Sequence, residues 1–440
     1  MLTKFRNAIR GNVLAMSLVS LFTDFSSEMM NPLLPIFIAG LVGGVEAAVY
    51  VGLMEGVAET TASLLKIFSG RISDKLGKRK ALVILGYGTS SFARPLMGLA
   101  GLVWWATGGL QVVVLKFLDR VGKGIRTSPR DALIGDSVGP DVRGLAFSFH
   151  RSMDHAGAVL GPIVAIIILQ LILGGDKLWS RPAIDVHKQA VGPDEMNALR
   201  WLFGVALLPG LAALAALVFR VREVAIIPKE ETVNVGLWGS LPRSFRLFTG
   251  IVTLFALGNS SDMFIMLLAA SIFRMSLGML LVLWMVFHIS KIVFSIPGGI
   301  ISDRIGRRPV IAAGWIVYAL TYAGFALAGW RAMAQEAAGS TPDQWPFWVL
   351  FLVYGFYYGA CEGAEKALVT DFVPSEQRGT AFGIYHGAIG IAALPASLVF
   401  GRFWLELGPV WAFGIGAALA GAAAILMLAL LTAAKRQSAE

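Results

Sequence analysis

Cysteine is almost absent. Cys361 stands alone among 440 residues, which rules out an internal disulfide framework or a cysteine-based metal cluster in this chain. Charge is scarce as well: Asp, Glu, Lys and Arg make up 15% of the chain, against about a quarter in a soluble domain. No Gly-x4-Gly-Lys-(Ser/Thr) phosphate loop occurs, so nucleotide hydrolysis is not the expected source of energy. The basic start, Met1 to Arg10, leads into an apolar run that contains Asp24 and Glu28, with no small-residue cleavage site before them. A cleavable signal peptide is therefore not expected. Nothing marks an enzyme, and no cofactor is expected.

What the chain has in abundance is apolar surface. It is 56% hydrophobic, with a mean hydropathy of +0.70, so lipid is the expected solvent for most of it. The net charge of +9 would suggest nucleic acid in a soluble protein. Here the tendency of cytoplasmic loops to be basic explains it, and no nucleic-acid partner is expected.

A helix needs roughly 20 apolar residues to cross a bilayer. Runs of that size fall at 11–39, 47–69, 81–103, 108–135, 144–173, 199–219, 247–272, 276–299, 309–330, 346–371, 379–403 and 409–433, termed spans 1 to 12. Lipid cannot satisfy open backbone groups, so the expected fold is all-α with twelve transmembrane helices. Basic loops alternate with less basic ones. Lys4, Arg71, Lys75, Lys80, Arg220, Arg222, Arg304, Arg308, Lys435 and Arg436 fall on one side, which places both termini in the cytoplasm. The expected organisation is a six-helix bundle over 1–219, a basic cytoplasmic linker over 220–246 and a second bundle over 247–440.

Three echoes support a duplication. Gly70-Arg-Ile-Ser-Asp74-Lys-Leu-Gly77-Lys-Arg79 returns as Gly299-Ile-Ile-Ser-Asp303-Arg-Ile-Gly306-Arg307-Arg308 about half the chain later. Asp136-x6-Arg143-Gly-x-Ala-Phe returns as Asp371-x6-Arg378-Gly-x-Ala-Phe, and Ser26-Ser27-Glu28 as Ser260-Ser261-Asp262. The first of these repeated turns resembles the signature between the second and third helices of the major facilitator superfamily. The resemblance extends over the whole chain in helix order. It implies two six-helix bundles related by an axis along the membrane normal, a substrate site between them, and alternating access. It also implies a conformational latch formed by Gly70, Asp74, Gly77, Arg79, Gly299, Asp303, Gly306 and Arg307. The runs Asp-Phe-Ser-Ser-Glu-Met in span 1 and Asp-Arg-Val-Gly-Lys-Gly-Ile-Arg in span 4 are similar to a prokaryotic branch with nickel-resistance and magnetosome iron-transport relatives.

Charges inside the spans are costly, about 2.5–3.5 kcal/mol each on insertion scales, so they should face one another or a wet cavity. Asp24 and Glu28 share a face of span 1, and Pro32 and Pro35 after them predict a bend or an unwound turn. Asp262 matches Glu28 in span 7. Lys116, Lys123 and Arg130 nearly eclipse on span 4, with Arg120 about 40° away. Arg120-x-Gly122-x-Gly124 is similar to the family's fourth-helix motif, whose arginine is assigned to proton coupling. Glu55 and Glu59 of span 2 oppose that stripe, which suggests a paired network. His288 and Lys291 in span 8, Glu362 in span 10 and His386 in span 11 complete the candidates. Gly157-x3-Gly161 in span 5 predicts close helix packing.

The expected function is proton-coupled secondary transport of a small cationic solute, outward, with Asp24, Glu28 and Asp262 as the exchanged negative sites. The solute is a transition-metal ion such as nickel or iron, with those three acids as candidate ligands, or an organic cation. Two alternatives stay open: an organic-anion carrier that uses Arg120, Lys123 and Lys291, and a non-transporting scaffold or sensor. The expected setting is a bacterial inner membrane, or one derived from it, with the protein as a monomer.

Overall fold

The computed structural model describes residues 10–44, 46–76, 79–103, 106–137, 143–184, 191–224, 241–372 and 378–437. Within those helices, positions 67, 70, 71, 74–76, 135, 136, 143–148, 295, 296, 299, 300, 303, 304, 363, 366, 367, 370, 378–380, 382, 383 and 430–437 are described by backbone alone. Most of the expected linker, 225–240, lies outside the described residues.

The architecture is all-helical. Span 1 is α1 (Asn12–Glu28), a 3-10 turn (Asn31–Leu33) and α2 (Leu34–Val42). Spans 2 to 5 are α3 (Ala47–Leu76), α4 (Lys80–Leu96), α5 (Gly108–Asp136) and α6 (Arg143–Gly175). Span 6 is α7 (Pro193–Val205) with α8 (Leu207–Arg220), and span 7 is α9 (Arg243–Gly258) with α10 (Asp262–Ser271). Spans 8 to 12 are α11 (Leu277–Ile305), α12 (Arg307–Ala337), α13 (Trp345–Phe372), α14 (Arg378–Leu407) and α15 (Pro409–Gln437).

Among the described residues, eight helical stretches are long and apolar enough to cross a membrane by length and composition. The other four expected spans coincide with α3, α4, α5 and α13. Charges dilute their hydropathy in α3 (Glu55, Glu59, Lys66), α5 (Lys116, Asp119, Arg120, Lys123, Arg126) and α13 (Glu362, Glu365), and α4 is short at 17 residues. On the outside of the helices large apolar side chains stay open, such as Leu171 at 81% and Phe219 at 85% exposure. A water-soluble surface rarely concentrates such residues; a lipid-facing one does.

The chain forms two compact units. One comprises Met1–Tyr50, Val57–Thr232 and Ser276–Leu281; the other comprises Val51–Gly56, Val233–Met275 and Val282–Glu440. The duplication read from the motifs reappears in packing. In the first unit span 1 packs on spans 5 and 6, and span 3 on spans 4 and 6. In the second unit span 7 packs on spans 11 and 12, and span 9 on spans 10 and 12. The cores differ in chemistry. The first is aliphatic, built from Val13, Met16, Val19, Val83, Leu133 and Leu217 around Tyr87. The second is aromatic: Phe255 stacks on Trp315 with centroids 4.4 Å apart, and Tyr318 on Tyr322 at 4.3 Å.

Close approach explains two of the glycine motifs. A Cβ at Gly157 or Gly161 of α6 would sit 2.4 Å from Leu21 O or 2.8 Å from Met29 N, so only glycine lets α6 lie on α1 beside its acids. A Cβ at Gly122 would lie 2.5 Å from Gly86 O, which fixes the distance of α5 from α4.

Candidate functional site

The matched acids Glu28 and Asp262 occupy opposite ends of broken helices. Glu28 is the last residue of α1, before the turn that Pro32 opens. Asp262 is the first residue of α10, and no proline marks that break. Instead the backbone leaves the helix at Asn259, and the Ser261 side chain caps α10 by accepting from Met263 N at 3.2 Å. The helix dipole therefore favours the carboxylate of Asp262 and opposes that of Glu28. Glu28 is stabilised by side chains instead.

In the first unit, Asn31 joins Glu28 to the basic stripe. Its Nδ2 donates to Glu28 Oε1 at 2.9 Å, and its Oδ1 accepts from Lys116 Nζ at 2.9 Å. Ser27 Oγ lies 3.5 Å from the same Glu28 oxygen. Behind this bridge sits a buried ion pair: Arg94 Nε donates to Asp119 Oδ1 at 2.9 Å, and Arg94 also donates to Thr23 O at 2.9 Å. Arg120 Nε is 3.8 Å from Asp119 Oδ2. Arg126 donates to Ser90 Oγ at 2.6 Å and lies 4.3 Å from the Tyr87 ring centroid. Lys123 is partly buried, and its charge acts on Glu59 of α3 and on Asp24. Asp24 is partly buried too, in the field of Asp154 and Glu28. Asp154 is itself held by a hydrogen bond from Ser20.

In the second unit, Asp262 Oδ1 accepts from Tyr354 at 2.5 Å and from Tyr358 at 3.4 Å. Lys291 Nζ lies 4.5 Å from the ring centroids of both Phe287 and Tyr358, and its charge acts on Asp262. His288 is buried, with Nδ1 3.0 Å from Trp284 O. Glu362 is exposed and lines a cavity of about 120 Å3. His386 is exposed, its ring edge-on to Tyr385.

Of the latch residues, Gly77 lies outside the described residues, as do the surroundings of Gly70, Asp74, Gly299 and Asp303. Arg79 is buried, and its backbone N–H donates to Glu223 Oε1 at 3.0 Å, while Lys80 N donates to Glu223 Oε2 at 2.9 Å. Gly306 opens α12 with a φ of +97°, a left-handed turn that favours glycine. Arg307 donates to Ser302 Oγ at 3.1 Å, and its Nε is 3.8 Å from Asp371 Oδ2. So one member of the first repeated motif meets one member of the second.

Sequence reasoning missed Asn31, Asp119, the tyrosines on Asp262, and Glu223. Asn31 and Asp119 were legible only as polar residues beside the charged ones. A tyrosine-rich stretch in span 10, Tyr354, Tyr357 and Tyr358, was the available signal for the donors to Asp262. Among the described residues no three His, Cys, Asp or Glu side chains gather as a metal-ion site.

The family model for the Major Facilitator Superfamily matches residues 16–290 and 263–440. The chain is similar to the uncharacterized MFS-type transporter MJ1317 of Methanocaldococcus jannaschii, 32% identical over 422 residues, covering 95% of this chain and 94% of that one. A shorter similarity, 32% over 127 residues, links it to the multidrug resistance protein MdtH of Salmonella paratyphi B, covering 28% of this chain and 29% of that one. Among solved structures, a D-xylose-proton symporter shares the fold at a TM-score of 0.69 with 15% identity, covering 94% of this chain and 96% of that one. The family match and the full-length relative together establish that this chain belongs to the major facilitator superfamily and is a multi-pass membrane transporter.

Proposed function

We propose that the protein is a proton-coupled carrier that exports a small cationic solute by alternating access. The observation that carries this reading is Asp262, a partly buried carboxylate in the membrane-spanning part of the second unit, held by two tyrosine hydroxyls at the start of a broken helix. Tyrosine donors and a helix N-terminus stabilise a carboxylate in place, where it can take up a proton or pair with a cation. Discontinuous helices are where membrane carriers place such groups. Glu28, at the matched break, supplies the corresponding acid of the first unit, with Asp24 one turn before it. Proton and cation compete for these sites, and that competition gives exchange.

The anion reading has less support. Lys116 is bonded to Asn31, Arg126 to Ser90, and Lys123 is in the field of Glu59, so the stripe on span 4 is engaged with its own unit. MdtH is a multidrug resistance protein by name, which is in keeping with export. The expected setting is the cytoplasmic membrane, with both termini inside, and the repeated turns act as the latch.

The test is purified protein in liposomes that enclose a pH dye, challenged with nickel(II), organic cations and organic acids. A cation should move protons against itself, and Asp262→Asn should abolish the signal. Proton movement driven by organic acids, and kept in the Asp262→Asn variant, would replace the cation reading with the anion one. No flux with any solute would favour a scaffold.

A further inference from the structure

The second unit contains a cavity of about 120 Å3 whose wall combines aromatic rings with carboxylates. Phe255, Tyr357 and Tyr358 line it together with Asn259, Glu362 and Glu365. The rings are tilted against one another, Phe255 to Tyr357 by 49° at 5.8 Å and Tyr357 to Tyr358 by 59° at 5.0 Å. Glu365 is fixed from behind: Oε1 accepts from Trp315 Nε1 at 2.8 Å and Oε2 from Tyr385 at 2.8 Å. These two donors fix the orientation of the carboxylate. Trp315 is in turn held by its stack on Phe255, which ties the carboxylate to the ring wall.

Aromatic faces beside carboxylates are the chemistry that takes an ammonium group, because the ring quadrupole attracts a cation that is too bulky for close ligation. The protein already solvates one ammonium in this way: Lys291 Nζ lies 4.5 Å from both the Phe287 and Tyr358 centroids. A transition-metal ion asks for something else, several N, O or S donors at about 2 Å. No group of three His, Cys, Asp or Glu side chains placed to hold one occurs among the described residues. Size narrows the class further. A cavity of about 150 Å3 accepts benzene, so one of about 120 Å3 has room for an ammonium with short alkyl groups. Tyr358 also links the cavity to the carboxylate that carries the transport reading, since it lines the one and donates to the other.

We infer that this cavity is a binding site for a small alkylammonium cation, with Phe255, Tyr357 and Tyr358 as its ring walls and Glu362 and Glu365 as its counter-charge. The inference rests on the cation reading of the transporter and names the class of cation.

The test is binding of radiolabelled tetramethylammonium to the full-length protein in nanodiscs, measured by scintillation proximity. Saturable binding is expected in the wild type. Ile389→Trp, which fills the cavity with its charges intact, and Glu365→Gln should each weaken it at least tenfold, and excess nickel(II) should not displace the label. Absence of saturable binding to the wild type, wild-type affinity in Ile389→Trp, or displacement by nickel(II) overturns the inference. The pH-dye liposomes separate this from the transport reading. Tetramethylammonium bound in the cavity, with no proton movement on any cation, leaves the site standing and removes proton-coupled transport. Proton movement driven by nickel(II), with no tetramethylammonium binding, does the reverse.

Discussion

Tyr354 donates to Asp262 Oδ1 at 2.5 Å, across the gap between α13 and the first residue of α10. A hydroxyl bound to a charged acceptor contributes about 1.5–3 kcal/mol. That bond holds the carboxylate in one orientation without neutralising it. Tyr354→Phe should therefore keep transport but weaken it several-fold, whereas Asp262→Asn should abolish cation-driven proton movement. Initial rates in pH-dye liposomes distinguish the two variants. Equal loss in both would mean that the tyrosine is as necessary as the acid.

Asn31 bridges Glu28 and Lys116 with one side-chain amide. Leucine at this position has a similar volume but can serve neither partner. Asn31→Leu removes two hydrogen bonds to charged groups and should lower stability by about 1–3 kcal/mol. Thermal unfolding in detergent, followed by size-exclusion fluorescence, reads this directly. The same variant should reduce transport, since Glu28 loses its fixed position. An unchanged melting temperature would show that the bridge is incidental.

The Arg94–Asp119 pair is buried at both ends, with side-chain exposures of 7% and 5%. Removing Asp119 takes the carboxylate from both Arg94 and Arg120 and should cost about 3–5 kcal/mol, whereas removing Arg94 leaves Asp119 beside Arg120 at 3.8 Å and should cost less. Asp119→Leu should melt far below the wild type, and Arg94→Leu by a smaller margin. The double variant should lose less than the sum of the two single losses, because both remove the same contact. Additive losses in the double variant would contradict the pairing.

Glu223 accepts from the first backbone N–H groups of α4, at Arg79 and Lys80. It does so from the chain after span 6, as a cap distant in sequence. Loss of a helix cap costs about 1 kcal/mol, so Glu223→Ala should lower the melting temperature modestly and Glu223→Gln by less. Indistinguishable melting of the alanine variant and the wild type would rule out a capping role.

Much of the fold is legible in the sequence because lipid imposes a length and a composition on every helix that crosses it. The repeated Asp74 and Asp303 turns announced the duplication, and the pairing of spans 1–5 with 7–11 and of 3–4 with 9–10 repeats it in space. The break in span 1 was legible from Pro32. The break in span 7 was not, because Gly258, Asn259, Ser260 and Ser261 interrupt a helix only when the capping serine and the tertiary packing favour it.

The candidate site was legible in part. Its charged members stand out in an apolar sequence because each carries a solvation penalty. Their neutral partners do not stand out: Asn31, Ser90, Tyr354, Tyr385 and Trp315 look ordinary in composition. What the sequence by itself determined is that this chain is helical, duplicated and membrane-embedded, since periodicity and hydropathy are local properties that any fold must respect. What only the tertiary structure decided is which partner each buried charge received. Hydrogen bonds reach about 3 Å, and the residues that come within that distance belong to helices far apart in the chain.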